Sequence, residues 1–515
     1  MSSEERGKEI AHTPDSNPRW RLLLLGGVLA VAVLAFLYLR GGAGGEERQE
    51  LSRVCFAAMF HGQTPAALEA LAKYRKVAAG LVPPEASDDL LKLEGDRYRQ
   101  DYPVCNKNAD TYLIDEAVFL GLTIGPALDP DAGEAGTDSE RERAAVFRAL
   151  AYVMRNMQSG GGTAESLALD VPPTYALRRG YGRPDQSAWL MAELLRQRGM
   201  HAAVIQLSGD TGKPYFITGV LLDRRLFLFD PYRAVPVCRA RDGAVADLQS
   251  LLSGRDALAA GFGGTGTPIT VEGLRKAVYL VPADPDSVLP DSALLMRILA
   301  EHGRPLCLYR SFRRDLGNLA AAVFGENPAG QMDGFTSIRV NGRDEVVALW
   351  QYPFRLHERM TEPGYLSKLT ELHRGLSAVY LMAREAQLRL ERDTEARQVQ
   401  LGGTPDPAIT QYEQILKDRA ADAELVEEVT FFRATADPDP AERATRLAAY
   451  LEKYPAGRWQ PLATLLAAGI EASRGDRDKA VELAEQLKPP YDLRGRLLID
   501  AARRGHKGIA WTFPP

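Results

Sequence analysis

The chain has 515 residues, 45% of them hydrophobic and 25% charged, with a formal net charge of −5. That length exceeds what one hydrophobic core serves, so roughly two to four domains are expected. The charges are spread without a basic block, so a nucleic-acid partner lacks electrostatic support.

Met1 to Arg21 is polar, with Pro14 and Pro18, and reads as a disordered tail over 1–21. Leu22 to Leu39 then runs without a charge, LLLLGGVLAVAVLAFLYL. At ~1.5 Å per residue this run covers roughly 27 Å, the apolar thickness of a bilayer. Trp20 and Tyr38 sit at its two ends, where interfacial aromatics belong. Gly41-Gly42-Ala43 also reads as a cleavage site, but the run is longer than a signal-peptide core, so an uncleaved single-pass anchor is expected. Arg6, Lys8, Arg19 and Arg21 precede the span and Arg40, Arg48 and Arg53 follow it. The positive-inside rule then places the N-terminus in the cytoplasm and the body outside it.

A tether and helical lead-in follow, over 40–136. Gly41 to Gly45 is flexible, Glu46 to Gly80 is helical with Thr64-Pro65 opening its second half, and Pro83-Pro84 breaks it. Asp88 to Arg99 and Tyr112 to Leu122 carry further helical signals, and Asp129 to Thr137 is a loop.

Residues 137–275 carry the most informative pattern. Ser139-x-x-Glu142 reads as a capping box before a helix whose stripe is Val146, Ala149, Leu150, Val153, Met154 and Met157. Ala188, Met191, Ala192 and Leu195 fall at helical spacing, and Gly199 stops that helix as a C′ glycine does. Ala203 to Leu207, Tyr215 to Leu222 and Leu226 to Phe229 are β-prone runs, the last two separated by the polar turn Asp223-Arg224-Arg225. The order is helix, strand, strand, strand, ending on Asp230-Pro231.

That order resembles the core of the transglutaminase-like superfamily, which shares its fold with papain-like cysteine proteases. The residues that carry the resemblance are A-W-L-M-A-E-L-L-R-Q-R-G (Ala188 to Gly199) and Phe229-Asp230-Pro231. Val153 to Gln158, the G-x-G-R of Gly180 to Arg183 and the L-F-L-F-D-P strand also resemble a bacterial, membrane-anchored group in which the triad is often eroded. The resemblance implies a Cys-His-Asp triad, of which only Asp230 is present. The Cys position falls near Pro184, Asp185 and Gln186, and the His position near Pro214 or Tyr215. Without thiolate or imidazole the family mechanism has no nucleophile and no base. The resemblance therefore implies the α+β fold and argues against the activity. A cleft lined by Tyr181, Trp189, Tyr215 and Phe216 would suit an extended peptide.

Gly261 to Thr267 is glycine-rich but lacks the G-K-[ST] of a phosphate loop and reads as surface. Residues 276–355 read as a small α/β extension packed beside the core. It has a strand at Ala277 to Val281, helices at Ala293 to Ala300 and Leu316 to Phe324, a strand at Leu306 to Tyr309, and a hairpin around Asn341-Gly342. Residues 356–515 are helical: Leu366 to Leu390, Asp406 to Lys417, Glu442 to Tyr454, Leu462 to Ser473 and Lys479 to Leu487. A-A-Y-L-E-K-Y-P followed by A-T-L-L-A-A-G-I-E-A-S-R-G-D-R-D-K-A looks like tetratricopeptide repeats without their full consensus, and an ordinary helical bundle is the alternative.

The remaining chemistry is sparse. Cys55, Cys105, Cys238 and Cys307 have no C-x-x-C spacing, so no zinc site is expected; they form two disulfides or remain buried thiols. Asp210 with Asp223 gives no metal spacing, and no cofactor is expected. Cys238 with His201 is a relocated nucleophile and base only if the two meet, and Ser187 has no obvious base. Arg178, Arg179 and Arg183 read as solvated charges or an anion site. Three readings follow: a membrane-tethered pseudoenzyme that binds a protein or peptide, an assembly protein acting through its tail, and a hydrolase or acyltransferase with a relocated nucleophile.

Overall fold

The computed structural model describes residues 45–59, 64–78, 128, 137–160, 170–208, 213–259, 261–262, 269–282, 290–303, 307, 310–324, 332–333, 337–340, 343–350, 356, 364, 380, 383–384, 386–388, 407–419, 422–437, 439–506 and 509. The Leu22–Leu39 span, Cys105, Asp210, the expected helices within 88–122 and the expected strand at 306–309 lie outside them, Cys307 excepted. Among the described residues no helix is long and apolar enough to cross a membrane.

The fold is mixed helix and sheet, α+β. The lead-in gives α1 (residues 45–59) and α2 (Thr64–Val77). The core begins at α3 (Asp138–Asn156), capped by Thr137 rather than Ser139: the Thr137 side chain accepts from Glu140 N, and Glu140 bonds back to Thr137 N. Then come β1 (Gln158–Ser159), α4 (Pro173–Arg179), β2 (Tyr181–Gly182) and α5 (Pro184–Gln197). Next are β3 (His201–Ser208), β4 (Pro214–Leu222), β5 (Arg225–Asp230) and β6 (Val235–Pro236), and then α6 (Leu248–Leu252), α7 (Val271–Arg275) and β7 (Val278–Pro282). The chain continues through α8 (Pro290–Glu301), α9 (Phe312–Phe324), β8 (Met332–Asp333), β9 (Ser337–Val340) and β10 (Arg343–Trp350).

One eight-stranded sheet runs in the order β6-β5-β4-β3-β7-β10-β9-β8, beside a two-stranded pair of β1 with β2. β7 pairs antiparallel with β3 and parallel with β10. The 276–355 segment is thus a continuation of the core sheet rather than a unit packed beside it. The β4–β5 turn is the expected one: Asp223 and Arg224 have φ of 49° and 62°, the two-residue arrangement whose twist matches that of paired strands.

Strand alternation sorts the core into two layers. Val204, Val220, Phe227, Phe229 and Leu280 face α3, α5 and α8, while Ile205, Ile217, Leu226, Leu228 and Tyr279 face α6, α7 and α9. α5 is more than an amphipathic surface helix, since every residue from Gln186 to Gln197 is buried. Its C-terminus closes as expected: Gly199 has φ +77°, Gly199 N bonds Arg196 O, and Met200 N bonds Leu195 O at 3.1 Å. Its polar residues bond to one another: Arg196 donates to Glu193 at 3.1 Å and Gln197 to Glu193 at 2.8 Å. Thr218 Oγ1 donates to Ala188 O at 3.0 Å and ties the helix to β4.

The tail contributes α10 (Pro407–Asp418), α11 (Ala423–Thr435), α12 (Pro440–Lys453), α13 (Gln460–Arg474), α14 (Arg477–Glu485) and α15 (Asp492–Arg503), each packed on the next. Residues 380, 383–384 and 386–388 are helical too, within the expected Leu366–Leu390 helix. The tail docks on the core around Gly180. A Cβ there would stand 2.4 Å from Phe432 Cζ and 2.9 Å from Trp459 Cη2. Arg384 NH2 donates to Asn156 O at 2.7 Å, closing the C-terminal end of α3.

Candidate functional site

The residues at the expected triad positions are near the ends of α5, β4 and β5. Asp230 ends β5 fully buried, and two donors reach its carboxylate through three contacts. Tyr215 Oη lies 2.8 Å from Oδ2 and 3.0 Å from Oδ1, and Arg233 N lies 3.1 Å from Oδ1. Burial raises the Asp230 carboxyl to about 6, against the lowering effect of Arg233 and of the Tyr215 hydrogen bond. Burial, and then Asp230 itself, push the Tyr215 phenol well above its usual range, so it stays protonated. The structure therefore brings together two of the predicted residues, Tyr215 and Asp230, in a bond of the kind that joins a base to its orienting carboxylate.

The head of α5 carries no thiol. Pro184 is at the first helical position, where its missing N–H costs nothing. Asp185 is paired to Arg183 at 2.7 Å, and Arg183 also reaches Asp170 at 2.9 Å. The Gln186 side chain is buried: Oε1 accepts from Arg183 N at 3.0 Å and from Arg179 NH2 at 2.9 Å. Ser187 Oγ donates to Arg183 O at 3.1 Å. Arg178 lies over the Tyr175 ring at 5.5 Å, and Arg179 over the Tyr181 ring at 4.6 Å. Arg179 and Arg183 thus knit the start of α5 together, while Arg178 packs on its own helix.

The four aromatic residues do not line one cleft. Tyr215 and Phe216 are consecutive on β4, so their side chains point to opposite faces of the sheet. Trp189 is buried against Trp350 with ring centroids 5.3 Å apart, and Phe216 lies 6.1 Å from the same ring. Tyr181 instead lies between the guanidiniums of Arg179 and Arg458, the latter 4.1 Å from its centroid.

The tail covers the region beside Tyr215. Tyr232 stands edge-on to Tyr215 at 6.3 Å, and its backbone O accepts from Ser159 Oγ. Ser159 N donates to Tyr491 Oη at 2.8 Å, Gln158 Nε2 to Arg458 O at 2.7 Å, and Arg494 NH1 to Ala234 O at 3.2 Å. None of these tail contacts has a local sequence signal, because each partner lies hundreds of residues away.

Among the described residues no thiol is activated as an alternative nucleophile. Cys55 and Cys238 form no disulfide, so a two-disulfide arrangement of the four cysteines is not formed. Burial pushes the thiols of Cys55 and Cys238 up to about 12 and raises that of Cys307. Cys238 Sγ donates to Pro236 O, and His201 serves elsewhere: Nδ1 is 2.9 Å from Asp315 and Nε2 is 3.1 Å from Asn318. Ser52, beside His302 Nε2 at 3.3 Å, donates a hydrogen bond to Glu301 at 2.8 Å and is buried. Among the described residues no cluster of His, Cys, Asp and Glu could hold a metal ion.

Compared with family models, curated proteins and solved structures, the chain matches none of them.

Proposed function

We propose that this chain is a membrane-tethered, transglutaminase-like module that performs no acyl transfer and works by binding a protein or peptide. The observation that carries the reading is the Tyr215 hydroxyl on the Asp230 carboxylate, at 2.8 Å. In the family it resembles, that carboxylate orients an imidazole at the head of the second strand. Here a phenol held above its usual pKa makes the bond, and it takes no proton from a nucleophile. The nucleophile's place at the head of α5 belongs to a glutamine whose amide is committed to Arg179 and Arg183. Support for the fold reading comes from α5 laid against β3 and β4, followed by β5 ending on Asp230-Pro231.

The anchor of this reading is Leu22–Leu39, a single pass that leaves the body extracytoplasmic. A second reading gives the work to the tail, as TPR-like repeats that assemble partners. It is favoured by the serial packing of α10 to α15. The two readings differ in whether removing 356–515 abolishes partner binding. The first is tested by assaying the full chain and Cys238→Ser for amine incorporation, amidase and peptidase activity. No turnover is expected from either; turnover lost on Cys238→Ser overturns the reading.

A further inference from the structure

A pocket of about 270 Å³ lies between the start of β5, the turn at 239–242 and the two ends of α6, and its described lining residues are all charged or polar. We propose that this pocket binds a small polar α-amino acid, with its ammonium group on Asp256 and Gln249 and its carboxylate on Arg255. The inference goes beyond the proposed function and does not depend on it.

Two acceptors in its wall find no donor among the described residues. The first is on Asp256, whose side chain is only 5% exposed. Its Oδ2 accepts from Arg239 NH1 at 3.2 Å, but its buried Oδ1 accepts no hydrogen bond, and Arg241 Nε stands 3.6 Å from it. A buried acceptor without a donor is costly, and a donor brought by a ligand removes that cost. The second is Gln249 Oε1. Gln249 Nε2 donates to Ala322 O at 2.8 Å and to Val323 O at 2.6 Å, in the last turn of α9. Both amide protons are spent there, so the amide cannot turn over and Oε1 is presented as an acceptor only. An ammonium group, with three N–H donors, serves both oxygens at once.

Charge sets the other end of the ligand. Arg239 is closed on Asp242 and Asp256, and Arg225 is engaged elsewhere, so neither is open to an anion. Arg255 differs: it is exposed, its Nε donates to Ser253 Oγ at 3.0 Å, and it pairs with no carboxylate among the described residues. Its two terminal nitrogens form the planar fork that suits a carboxylate. A plain amine would enter a pocket whose wall carries four guanidinium groups, and a plain anion would face Asp247 and Asp256. An amino acid brings both charges in one molecule and meets each with its opposite. The pocket is smaller than the ~300–1,000 Å³ that drug-sized ligands occupy, and its described wall offers no apolar surface, so the side chain is small and polar.

The test is calorimetric titration of the full chain in lipid nanodiscs, with empty nanodiscs as control. The probes are L-serine, ethanolamine, which lacks the carboxylate, and 3-hydroxypropionate, which lacks the ammonium group. The expected result is binding of L-serine at one site per chain, with each of the other two weaker by about tenfold or more, as loss of a charge-assisted hydrogen bond implies. Asp256→Asn and Arg255→Gln should each weaken L-serine by a similar factor. If Asp256→Asn fails to fold because Arg239 loses a partner, Arg255→Gln carries the test, since that side chain is exposed and its replacement should leave the melting temperature of the unliganded chain unchanged. No binding of L-serine, equal binding of either analogue, or unweakened binding of L-serine by Arg255→Gln overturns the proposal.

Discussion

Replacing Gly180 with alanine tests whether the tail is seated on the core as described. Two costs arise. Gly180 has φ +81°, a left-handed conformation that penalises a side chain by roughly 1–2 kcal/mol. The new methyl would also stand 2.4 Å from Phe432 Cζ and 2.9 Å from Trp459 Cη2. Those rings have little room to yield: Phe431 stacks on Trp459 at 4.9 Å, and Phe432 meets Trp459 edge-on at 4.8 Å. Overpacking of this kind costs about 1–3 kcal/mol. Gly199→Ala is the matched control, with φ +77° and nothing within 4 Å of its Cβ, so it carries the conformational cost alone. Hydrogen exchange read by mass spectrometry should rise in peptides spanning Tyr152–Arg183 and Tyr450–Arg474 for Gly180→Ala and remain unchanged there for Gly199→Ala. Equal behaviour of the two variants would refute the docking of the tail on Gly180.

Three further outcomes follow from the same contacts. Asp230 is raised from 3.8 to about 6 in the folded chain, so the native state holds a proton that the unfolded state releases. Its contribution is full below pH ~4 and is lost as pH rises through ~6, by about 3 kcal/mol; Asp230→Asn should remove that slope from unfolding measured across this range. Tyr215→Phe strips the carboxylate of its hydroxyl donor and should cost about 1.5–3 kcal/mol at pH 7, and less at pH 5, where Asp230 is protonated. Ala467→Asp places a charge in the buried face of α13 and should destabilise by roughly 2 kcal/mol or more, seen as a lowered melting temperature.

What was legible in the sequence was local. The helical stripe ending at Gly199 and the Asp223-Arg224 turn gave α5, β4 and β5, because each signal lies within a few residues of what it controls. α15 was missed because Gly495 interrupts its pattern, yet that glycine is what lets α15 approach Ala484 O. α11 buries Phe431 beside Phe432 as well as Leu425 and Val429, so it shows no single clean stripe. The joining of β7 to β3 depends on strands over seventy residues apart, which no local period encodes. The aromatic cleft was a different kind of error. Period-two alternation already places Tyr215 and Phe216 on opposite faces, and only Tyr215 reaches Asp230. Asp230 itself was legible from Asp-Pro, but its partner was legible only as a missing imidazole.

The central claim is that none of the described thiols, Cys55, Cys238 and Cys307, is an activated nucleophile, and thiol reactivity addresses it without any choice of substrate. The native full chain is treated with iodoacetamide at pH 7, and labelling of Cys55, Cys238 and Cys307 is followed by mass spectrometry, with the unfolded chain as reference. Thiols that burial has raised present little thiolate at that pH. The account predicts that all three label far more slowly in the native chain than in the unfolded one. Labelling of any of the three faster in the native chain than in the unfolded reference would reveal an activated thiolate and contradict it.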